Sequence, residues 1–97
     1  MSSTTIMVPG QDSVTINVGD TLVIDFIEDC YFCCDPTQVD FFYPQLPLGD
    51  HKAGKTWTGI AQQKATIKFG HVPYGKECNS KEAPMGTGRS ISVGGGG

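Results

Sequence analysis

The chain has 97 residues and a net charge of -3, with ten acidic and seven basic side chains. A domain of this length buries about 60–65% of its unfolded surface, enough for one modest core. The basic residues (Lys52, Lys55, Lys64, Lys68, Lys76, Lys81 and Arg89) form no run, which excludes electrostatic capture of nucleic acid. No apolar stretch approaches the ~20 residues of a membrane helix, so no membrane insertion is expected.

The first residues, Met1-Ser2-Ser3-Thr4-Thr5, are polar and lack the basic start and apolar block of a signal peptide. Short runs of alternating or β-favouring residues then follow one another: Thr4–Val8, Ser13–Val18, Thr21–Ile27, Gln38–Tyr43, Thr56–Ala61, Ala65–Phe69 and Arg89–Val93. Val14, Ile16 and Val18 share one parity, as do Leu22, Ile24 and Phe26, so each run has a core face. Gly19-Asp20 is the turn between them. Thirteen Gly and six Pro punctuate the chain, and no 12-residue window carries a 3.6-residue apolar period. The expectation is an all-β, seven- to eight-stranded Greek-key sandwich over residues 1–93, with 94–97 as a Gly-rich tail.

Three connections carry the candidate chemistry. Glu28–Thr37 reads as a cysteine-rich loop, Pro44–Lys55 as a Pro-rich crossing loop, and Gly70–Gly88 as a long polar excursion. Long loops are usually functional or tied down, so the third is the first place to look.

Residues Val14–Phe26, VTINVGDTLVIDF, resemble the second and third strands of cupredoxins, the plastocyanin- and azurin-type copper proteins. Pro36-Thr37-Gln38-Val39-Asp40-Phe41 is similar to that family's Pro-His-Asn-Val-x-Phe segment, with Thr37 where the family has its first copper-ligand histidine. His71, Cys78 and Met85 precede a Met-to-Val93 ending like that of the family, but the family order is Cys, His, Met. The resemblance implies a cupredoxin-like sandwich with a degenerate copper site, its Cys30–Cys34 loop and Cys78 loop at one pole. A blue-copper centre needs two imidazoles, a thiolate and a weak axial thioether. His71, Cys78 and Met85 supply one imidazole, and His51 sits away from the family position.

Cys30, Cys33, Cys34 and Cys78 are the disulfide candidates. Adjacent Cys33 and Cys34 are a strained pair, leaving two schemes: Cys30–Cys33 with Cys34–Cys78, or Cys30–Cys34 with Cys33–Cys78. Either staples the two polar loops and points to an oxidising compartment, extracellular or periplasmic. The rival use is zinc on Cys30-x-x-Cys33, completed by Cys34, Cys78, His71 or His51. The Asp29 and Asp35 neighbours would raise a thiol pKa, which argues against a redox Cys-x-x-Cys.

No Gly-x-Ser-x-Gly, His-Glu-x-x-His or phosphate loop occurs, and nothing orients His71 as a base for Cys78. Alternation across Phe41-Phe42-Tyr43-Pro44 puts Phe42 outside the core, so Phe42, Pro44 and Leu46 are candidate contacts for a protein or peptide partner. The reading is therefore a non-catalytic binding or structural module, monomeric or weakly oligomeric, without a bound cofactor. A variant copper protein using Cys78, His71 and Met85 is the first alternative, and a zinc-stabilised β domain the second.

Overall fold

Alternating apolar side chains set the first three strands in the computed structural model, which describes residues 2–10, 13–78 and 89–95. They are β1 (Ser3–Val8), β2 (Val14–Asn17) and β3 (Thr21–Phe26). Ile6, Val8, Ile16, Leu22, Ile24 and Phe26 are buried, as the parity of each run requires, but Val18 is exposed because β2 ends at Asn17. Gly19 takes a φ of +94° at the turn, a region glycine enters without steric cost. Asp20 clamps that turn. Its carboxylate accepts the Asn17 N–H at 3.0 Å and the Ser2 N–H at 3.2 Å.

The turn sends its two strands into different sheets. β1 pairs in parallel with β3, while β2 pairs in parallel with β9 (Arg89–Gly94). The remaining strands are β4 (Cys30–Cys34), β5 (Phe42–Tyr43), β6 (Gly49–His51), β7 (Lys55–Ala61) and β8 (Ala65–Pro73). One sheet has the order β1-β3-β7-β5 and the other β2-β9-β8-β4-β6. Both mix parallel and antiparallel pairs, and their inner faces share one core. Phe26 meets Phe32 edge-on at 6.2 Å, and Phe32 stacks on Phe69 at 5.8 Å.

The all-β class is as expected, but the described residues hold nine strands, two short ones having escaped the sequence pattern. Glu28–Thr37 is not a loop: Cys30–Cys34 is a strand inside the second sheet, flanked by β8 and β6. Of Gln38–Tyr43 only Phe42–Tyr43 is strand. Pro36–Phe41 forms a 3-10 helix, started by Asp35, whose carboxylate accepts from the Thr37 N–H, and by Pro36, whose missing N–H costs nothing there. β8 also continues past Phe69 to Pro73. Among the described residues no helix is long and apolar enough to cross a membrane.

Candidate functional site

The sequence-predicted residues fall into a cysteine cluster, a buried His–Arg pair and an aromatic groove. β4 decides the first. Along a strand, residues i and i+2 share a face, so Cys30, Phe32 and Cys34 face the core while Cys33 faces the other way. Cys33 bridges Cys78 there, with Cα atoms 6.0 Å apart. Opposite it in register is Gly70, which adds no side chain beside the bridge.

Cys30 and Cys34 are buried free thiols. Neither double-bridge scheme forms. Four residues of strand separate Cys30 and Cys34 by about 13 Å, beyond the reach of a disulfide. Cys30 and Cys33 point to opposite faces, which also removes the Cys-x-x-Cys chelate expected for zinc. Burial foremost, then the Asp35 charge, pushes the Cys34 thiol up to about 12. Cys30 is raised by burial and then by Glu28. Both thiols are poor nucleophiles at neutral pH.

His71 lies on the inner parity of β8, in line with Ile67 and Phe69. Arg89, at the start of β9, is only 4% exposed. Its guanidinium stands over the Phe69 ring at 5.0 Å, donates to the Gly10 carbonyl, and lies 2.9 Å from His71 Nδ1. Arginine only donates, so Nδ1 accepts and neutral His71 carries its proton on Nε2. Burial, then the Arg89 charge, lowers the His71 pKa.

These residues do not fit the copper set. Cys78 is committed to a disulfide, and His71 Nδ1 is occupied by a cation that would repel a metal. Met85 lies outside the described residues. Thr37 belongs to the 3-10 helix, and Gln38 beside it reaches the Thr66 carbonyl, five residues of β8 away from His71. Thr37 is thus at the opposite end of the strand from His71. His51 stacks on Phe26 at 4.0 Å and lies 2.5 Å from the Pro47 carbonyl through Nε2. Among the described residues no three His, Cys, Asp or Glu side chains are placed to hold a metal.

The third region is a groove of about 1030 Å³ walled by Tyr43, Pro44, Leu46 and Trp57, with Asp40 and Gln62 at one end. Phe42 does not point outward. It is 1% exposed, because the helix runs to Phe41 and strand alternation restarts at Phe42, which pairs with Ala61. Its ring meets Trp57 at 5.9 Å. Leu46 is likewise buried, and its backbone N–H donates to Val39. The exposed aromatic is Tyr43, at 74%.

Trp57 sits at the rim, on the inner parity of β7, and its Nε1–H donates to the Gln45 carbonyl at 2.9 Å. Its indole lies on Gly59: a Cβ there would run into the ring and fall 3.2 Å from the Pro44 carbonyl oxygen. Sequence alternation put Phe42 outward and so missed Tyr43, since the switch from helix to strand leaves no periodic trace. Neither protein-family models nor curated protein sequences yield a match to this chain.

Proposed function

We propose that the chain is a non-catalytic binding module on a cupredoxin-like scaffold, stapled by Cys33–Cys78, whose contact surface is the Tyr43–Leu46 and Trp57 groove. The observation that carries this reading is the groove: an exposed tyrosine beside a half-buried tryptophan, at the edge of a sheet. Tyr and Trp present large, rigid contact area and dominate binding energetics where they line a pocket. The two mixed sheets and the Val14–Phe26 pattern support the scaffold. The bridge supports an oxidising, extracellular or periplasmic setting. Copper or zinc handling through His71 and Cys78 gains no support from this geometry, since it would need the bridge reduced and Arg89 displaced.

Trp57 is the single tryptophan, so its emission reports groove occupancy directly. Titration with capped aliphatic and proline-containing peptides should shift that emission in the parent and not in Tyr43→Ala. Because Tyr43 is exposed, this variant should keep its stability within about 0.5 kcal/mol. Unaltered emission across the whole set, with the variant equally silent, would count against the groove.

A further inference from the structure

Among the described residues the edge of β7 beside the groove is open. The Ala61 N–H donates to the Asp20 carbonyl at 3.0 Å, so Ala61 directs its backbone polar groups toward β3. Antiparallel alternation then sends those of Gly59 and Trp57 the same way, and those of Ile60, Thr58 and Thr56 outward. The Gln62 N–H, bonded to the Phe41 carbonyl at 2.8 Å, has the matching outward parity. Ile60 meets Tyr43 of β5.

Beyond Tyr43 the neighbouring strand stops. Pro44 carries the chain beneath the inner face of β7, where its carbonyl approaches Gly59 and Gln45 receives the Trp57 indole N–H. Thr58 and Thr56, both exposed, therefore have outward N–H and C=O groups that no described residue engages. Unpaired edge groups of this kind are a template for another strand.

We infer that the partner of this module is an extended peptide that adds as a strand to the β7 edge at Thr58 and Thr56, laying side chains into the Tyr43–Trp57 groove. The inference rests on the proposed groove and names its occupant. A peptide continuing the line of β5 runs antiparallel to β7, with its N-terminal end toward Asp40 and its C-terminal end toward Lys55. Asp40 lines the groove at one end, Lys55 lines the pocket on the far side of Trp57, and neither forms an ion pair among the described residues. The charges select a segment that is basic first and acidic last. Backbone pairing supplies attraction and alternate side chains supply selectivity, as in other strand-addition modes.

The test uses the oxidised 97-residue protein and a capped pentapeptide, lysine first and glutamate last, with valine, threonine and valine between. Amide shifts at Thr56 and Thr58 should saturate with a midpoint near 1 mM, on the order of 4 kcal/mol of binding. The charge-reversed peptide should bind about threefold more weakly. A copy N-methylated on its pairing residues should lose the Thr56 and Thr58 shifts. Thr58→Pro, which removes only an outward N–H and so suits an edge position, should keep the fold and abolish the same shifts.

Equal binding of the methylated peptide, with Trp57 emission still responding, would overturn strand addition and leave the groove. No response of either probe at about 5 mM would overturn both. Protection of the Thr56 and Thr58 amides in concentrated protein without peptide, together with a dimer by sedimentation, would give the edge to a second copy and overturn the peptide.

Discussion

Arg89 places its guanidinium 2.9 Å from Nδ1 of His71, two inward side chains from adjacent strands that share a pole of the core. The arrangement holds His71 neutral. Burial first, and the Arg89 charge second, depress its folded pKa below the ordinary 6.5, with Glu28 partly opposing. For a depressed pKa the unfolded chain takes up the proton first. The stabilisation is therefore complete above the unfolded value and lost as pH falls through the folded one. Urea midpoints should decline from roughly pH 7 toward pH 5. In His71→Gln, which keeps an acceptor for Arg89, that part of the slope should flatten; an unchanged slope would assign it elsewhere.

The Cys33–Cys78 bridge closes a 45-residue separation. The chain-entropy account gives about 4 kcal/mol for a loop of this size, a large part of the stability of a small domain. Reduction, or paired replacement of Cys33 and Cys78 by alanine, should lower the urea midpoint accordingly. Alkylation of the unfolded, unreduced protein should label two thiols; four labels would rule out the bridge.

The two remaining thiols should be slow to react in the folded state. Cys30 and Cys34 are buried, and Cys34 is pushed up to about 12 by burial and then by Asp35. Little thiolate exists to attack an alkylating reagent near neutral pH. Labelling should follow global unfolding, so its rate should rise with denaturant in step with the loss of structure. Rapid native labelling of either residue would contradict this core.

Gly59 is held small by Trp57 and Pro44. A methyl at Gly59 would enter the indole and crowd the Pro44 carbonyl, so Gly59→Ala should cost about 1–3 kcal/mol. It should also red-shift Trp57 emission as the ring is displaced toward water. Retained stability and emission would show that the indole has another place to lie.

The sequence disclosed most where one rule acted alone. Along Val14–Phe26, alternation named Val14, Ile16, Val18, Leu22, Ile24 and Phe26 as core; four of these are buried, while Val14 is half-buried and Val18, past the end of β2, is exposed. It could not say that β2 and β3 would join different sheets, because that depends on β9 and β7, far along the chain. Across Pro36–Tyr43 two rules competed. Asp35 and Pro36 start a helical turn, and this local signal overrode the β-favouring run, shifting Phe42 inward and Tyr43 outward. The cysteines of β4 suggested a loop, yet buried free thiols behave as small apolar side chains and suit a strand. Of the expected site, Pro44 lines the observed groove and Leu46 walls it from within, while Tyr43 and Trp57 supply the accessible aromatic surface.

The place of β9 constrains how the molecule comes into being. It lies between β2 and β8, parallel to the former and antiparallel to the latter. A chain emerging from the ribosome can pair β1 with β3 early, but β2 has no neighbour in its sheet until Arg89–Gly94 arrives. The core therefore closes last at its most distant contact, and folding of this topology is slow relative to helical proteins of the same size. A fragment ending before Arg89 keeps the β8, β4 and β6 pairings within reach but should leave β2 with no strand to join.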